Sequence, residues 1–111
     1  MALSTKHMIT YLRAMYLYNI SIMAESDVGE AVRMYLNKEL AYDENGTSLS
    51  LLEMLDSPHE GVTYCIQLCT ENREEIASFQ TRRFAAIRAQ LETAYAGKVL
   101  FFDSIMKYLN Q

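Results

Sequence analysis

At 111 residues, half of them hydrophobic and 22% charged, the chain has the size and balance of one globular domain rather than of a disordered segment. A net charge of −4 leaves no basic excess to follow a phosphate backbone, and no apolar run nears the ~20 residues of a membrane span, so nucleic acid and membrane are set aside. Cys65 and Cys69 make no disulfide framework, and Arg13 interrupts any signal-peptide core, so the expected location is cytoplasmic.

Residues 5–24 read as a first helix, with Ser4 or Thr5 as N-cap. Its segment "YLYNISIM" is apolar at almost every position. On a heptad, Met8, Tyr11, Met15, Tyr18 and Ile22 form one seam, and Ile9, Leu12, Tyr16, Ile20 and Met23 form a second about 100° away. One seam joins a bundle, and the other needs a further cover, from the same chain or another molecule.

"ESDVGE" places Asp27 and Glu30 at capping-box spacing before a second helix running to about Tyr42. "DENGT" is the clearest break, since Asn-Gly favours a turn. A short third helix follows over about 48–56, carrying Leu49, Leu51, Leu52, Met54 and Leu55.

"SPHE", with Ser57 as cap, Pro58 at the first helical position and Glu60 at the third, is the strongest helix start in the chain. Apolar residues then keep a spacing of three or four to Tyr95, with no Gly or Pro before Gly97. The pattern predicts one long helix near 58–96, with a break allowed near 70–73, where Asn72 and Glu75 could cap a new start. Gly97 ends it, and "KVLFFDSIMKYLN" makes a last helix. No strand is expected. The fold class is therefore all-α: a single helical domain over 1–111, built as a bundle of about five helices.

Candidate chemistry is sparse. Cys65 and Cys69 lie one helical turn apart, but only His7 and His59 remain as soft donors, so no metal is expected. No cofactor loop, nucleophile elbow or Walker lysine is present, and no catalytic residue is assigned. Arg73, Arg82, Arg83 and Arg88 could line an anion pocket in a small enzyme or ligand-binding regulator, the alternative reading. The preferred reading is a non-enzymatic protein-binding module, chaperone-, adaptor- or inhibitor-like, acting as a homodimer. Its expected contacts are Tyr11, Met15, Tyr18 and Ile22 for the seam. Asp43, Glu44, Glu53 and Asp56 would meet a basic partner, because residues 43–60 hold five acids and no Lys or Arg.

Overall fold

A computed structural model describes residues 14–41 and 49–110. Within them the chain runs β1 (Tyr16–Ala24), α1 (Gly29–Leu40), β2 (Leu49–Glu53), β3 (Val62–Thr70), α2 (Arg73–Phe79), a π-helical turn (Gln80–Phe84), α3 (Ala85–Ala94) and β4 (Val99–Lys107). The four strands form one sheet in the order β2-β3-β1-β4, every neighbouring pair antiparallel. This is an α+β fold with the β-α-β-β-α-β order of ferredoxin-like motifs, and the all-α bundle expected from sequence is wrong.

The error begins in "YLYNISIM". A run that is apolar at nearly every position satisfies a three-or-four spacing as readily as a spacing of two, so periodicity does not separate helix from strand there. Tyr and Ile favour the pleated surface, and the structure resolves the run as the central strand β1. Tyr18, Ile20, Ile22 and Ala24 point to one side and are buried at 1% exposure or less, while Leu17, Asn19, Ser21 and Met23 point to the other. The two expected seams merge on one face: Tyr18 and Ile22 from the first and Tyr16 and Ile20 from the second all point to the helix side, and of the seam residues within β1 only Met23 points to the other.

The same misreading accounts for the third and last expected helices, which are β2 and β4. The expected long helix over 58–96 is a strand followed by helices. Its allowed break is real: Thr70 Oγ1 accepts from Asn72 N at 3.0 Å, and Asn72 Oδ1 caps α2 by accepting from Glu74 N at 2.9 Å. "SPHE" starts no helix. Ser57 Oγ accepts from His59 N inside a turn, and the His59 ring bonds Ala24 O at 3.2 Å, tying the β2–β3 connection to the end of β1.

The second expected helix exists as α1, with Val32 and Leu36 buried, but Asp27 does not cap it. Val28 occupies the cap without a side-chain bond, and the Asp27 carboxylate instead accepts from Lys98 before β4. That bond holds the Asp27 carboxyl below its ordinary range and raises the Lys98 ammonium.

The helices all lie on one face of the sheet. Between them and the strands sits a core of Tyr18, Ile20, Ile22, Val32, Leu36, Ile66, Leu68, Ile76, Ile87 and Leu91. Among the described residues no helix is long and apolar enough to cross a membrane.

Candidate functional site

Helices cover one side of the sheet, so the chemistry of the other depends on the alternate residues of each strand. The register places these side chains in rows that run across the strands. Gln67 and Asn19 are opposite each other, with Ser50 beyond Gln67 and Ser104 beyond Asn19, which makes a polar row spanning all four strands. The two amides are joined: Gln67 Nε2 donates to Asn19 Oδ1 at 3.1 Å, and Asn19 Nδ2 donates to Ser21 Oγ at 3.1 Å.

Apolar rows flank it. On one side lie Leu52, Cys65, Ser21 and Phe102, with the Ser21 hydroxyl 3.7 Å from the Cys65 thiol. Next come Thr63, Met23 and Leu100, and Met54 N donates to Thr63 O at that level. On the other side are Cys69, Leu17 and Met106. Near this corner the Tyr108 hydroxyl meets the Cys69 thiol, which raises its ionisation above the ordinary tyrosine value.

No residue in these rows carries a charge, although 22% of the chain does. The charged residues within the strands, Glu53, Asp103 and Lys107, all alternate to the helix side. That inverts the usual arrangement, in which the uncovered face of an antiparallel sheet takes the polar residues. The edge strands expose the apolar side chains most: Leu100 and Phe102 at 61% and 63%, with Leu52, Met54 and Met106 near 45%. Isolated exposed apolar residues are ordinary, whereas a large contiguous apolar patch is uncommon on a monomer.

The sequence-expected contacts are scattered by the fold. Tyr18 and Ile22 are core residues and offer no surface. Met15 is half-buried ahead of β1, its carbonyl accepting from Tyr108 N. Glu53 is exposed at the end of β2 on the helix side, and Asp56 stands in the following turn at a φ of 58°. Tyr11, Asp43 and Glu44 lie outside the described residues. The signal that would have found the uncharged face is alternation within β3 and β4, "VTYCIQLCT" and "VLFFDSIMK", once these are read as strands.

The arginines act separately. Arg73 stacks over Tyr16 and Arg88 over Phe101, while Arg88 also pairs with Glu92 at 2.6 Å. Arg83 stacks on Phe79 and donates to Glu39 O at 2.7 Å, the carbonyl lying in the last turn of α1. A shallow depression of about 330 Å³ opens between α1 and the β2–β3 pair, lined by Gly29, Glu30, Arg33, Glu53, Val62 and Tyr64 among others. Neither these three arginines nor the exposed Arg82 lines it, and Arg33 is engaged by Glu30 at 3.2 Å. Among the described residues no three metal-binding side chains cluster.

A part-buried polar contact joins two strands on the helix side. Tyr18 Oη donates to Asp103 Oδ2 at 2.5 Å, near Gln80 at the start of the π turn. Burial first, and then this bond, push the Tyr18 hydroxyl well above the ordinary tyrosine range. π turns recur at functional sites, but Phe79 packs edge-on against the Tyr18 ring and closes the space around it.

A family model described as "Domain of unknown function (DUF4286)" matches residues 15–109. None of the curated proteins matches the chain in sequence. Among solved structures, the de novo designed protein Foldit4 is similar with a TM-score of 0.53 at 7% identity, covering 88% of this chain and 99% of the design. A protein from Thermus thermophilus described as PII-like superposes with a TM-score of 0.42 at 15% identity, over 88% of this chain and 94% of that one.

Proposed function

The chain belongs to the DUF4286 family, and we propose that it works as a non-enzymatic protein-binding module whose contact surface is the uncharged face of its sheet. One observation carries this reading: every charge within the strands is on the helix side, while the other side, which no described helix covers, exposes Leu52, Met54, Leu100, Phe102 and Met106 along its edges, with Thr63 and Cys65 buried at its centre. Apolar surface left in water is costly, at roughly 25 cal/mol per Å², and covering it with protein recovers that energy. Methionine adds adaptability, because its unbranched thioether repacks against varied partners. A cytoplasmic location is part of the same proposal and agrees with the free thiols Cys65 and Cys69.

The acidic segment plays a lesser part in this reading. Glu53 at the end of β2 and Asp56 and Glu60 on the β2–β3 connection are exposed, where they would steer encounter rather than provide the contact.

The test is the size of the protein in an extract of cells that produce it, for the wild type and a Leu100→Glu, Phe102→Glu double variant. Both substituted side chains are mostly exposed, so the variant keeps the monomer fold, checked by circular dichroism. The expected result is a wild-type assembly larger than the 12.8 kDa chain, lost in the variant. Wild type running as the free chain would reject the reading.

A further inference from the structure

We infer that the occupant of the uncharged face is a second copy of the same chain, packed face to face about a two-fold axis that runs along the strands between β1 and β3. This rests on the protein-binding reading above and names its partner.

Charge decides between kinds of occupant. Each copy carries −4, so two copies repel, and any acid on the shared face would add to that repulsion. The face holds no charge, and it is where two copies meet at least electrostatic cost. A basic partner would gain nothing there and would be drawn instead to the exposed acids of the β2–β3 connection.

The layout is also self-complementary. An axis along the strands between β1 and β3 sets each row over the same row of the other copy, reversed, so that β4 faces β2. The mostly exposed Phe102 then lies over Leu52, and Leu100 over the level of Met54, at both ends of the interface. The polar row falls on its own copy. Asn19 and Gln67 each keep a free amide hydrogen beyond the bonds they make within the chain, and an amide, both donor and acceptor, can pair with its own kind. Isologous contact between identical patches requires this property.

The area suffices. Three strands of nine residues and β2 of five, about 4.8 Å apart, give a flat footprint of about 500 Å² per copy, or about 1,000 Å² for the pair before side-chain relief is counted. Specific interfaces begin near 1,000 Å² in total.

The experiment is the light-scattering mass of the purified full chain over a hundredfold concentration range. Wild type is expected at twice 12.8 kDa, and Phe102→Glu and Leu52→Lys are each expected at the single-chain mass with unchanged circular dichroism. Mixing the two variants should restore the doubled mass, because the new Glu and Lys face each other at one end and the native pair remains at the other. A wild-type monomer at every concentration overturns the inference, whether or not removing residues 1–13 then yields a dimer. So does a dimer that survives Phe102→Glu. So does one broken by Ile105→Glu, a helix-side residue that would instead implicate pairing along the β4 edge. If the purified chain is monomeric while the extract assembly still depends on Leu100 and Phe102, self-pairing fails and the protein-binding reading stands.

Discussion

Tyr18 reaches diagonally from β1 to Asp103 on β4, its hydroxyl donating to the carboxylate at 2.5 Å under the helical layer. The bond fastens an edge strand whose outer half has no helix over it, since Asp103, Ile105 and Lys107 are all exposed. Tyr18→Phe should cost about 1–2 kcal/mol, because Asp103 can rehydrate and only the charged hydrogen bond is lost. Chemical denaturation of the two proteins measures it.

The same residue makes stability depend on alkaline pH. The folded-state pKa of Tyr18 is raised, so its contribution is complete below the unfolded-state value near 10 and is lost as pH climbs beyond it. Tyr35 and Tyr64 are raised in the same direction, chiefly by burial. Melting temperature should therefore fall above pH 10, and Tyr18→Phe should make the fall shallower.

Two glycines should respond differently to alanine. At Gly61 a Cβ would lie 1.8 Å from Ala24 O, a backbone atom fixed within the central strand, so Gly61→Ala should cost about 3 kcal/mol. At Gly97 the φ of 78° strains any side chain, but the surrounding space is open, so Gly97→Ala should cost about 1 kcal/mol. Thermal unfolding of both variants checks this order.

Thr63 Oγ1 is buried without a hydrogen-bond partner, on the uncharged face at the level of Met23. An unpaired buried hydroxyl is a standing cost, and valine has nearly the same shape. Thr63→Val should leave stability unchanged or raise it by about 1 kcal/mol in equilibrium unfolding, whereas Thr→Val usually destabilises where the hydroxyl is bonded.

Core and surface on β1 and β4 should separate cleanly. Ile22, fully buried, should lose about 2–5 kcal/mol as alanine at every protein concentration. Phe102→Ser should leave the unfolding of dilute protein nearly unchanged, because the ring is 63% exposed in the single chain. Denaturation curves at two concentrations distinguish the effects.

Part of this fold was legible in the sequence and part was not. The start at Asn72 was readable because its capping bond acts locally, within two residues, whereas the helix after Asp27 was readable from the helical spacing of Val32 and Leu36, its expected Asp27 cap being absent. The strands were not, because "YLYNISIM" and "LSLLEML" are apolar on both faces. Strict alternation appears only when the uncovered face is polar, and here it is uncharged but largely apolar. The feature that concealed the strands is thus the candidate site itself. Tyr18 and Ile22, expected at a contact, are core residues, because helical spacing grouped positions that a strand turns to one face. The grouping of Ser50, Gln67, Asn19 and Ser104 depends on register between strands far apart in the chain, which no local pattern encodes.

The most direct test is methionine oxidation followed by mass spectrometry on concentrated and dilute purified protein. Met54 and Met106 are 45% and 46% exposed in the single chain, and Met34 on α1 is 65% exposed and serves as the internal reference. If the sheet face is covered in solution, Met54 and Met106 are protected at high concentration, become reactive on dilution or in Phe102→Glu, and Met34 reacts alike throughout. Oxidation of all three in proportion to their single-chain exposure at every concentration would contradict the account.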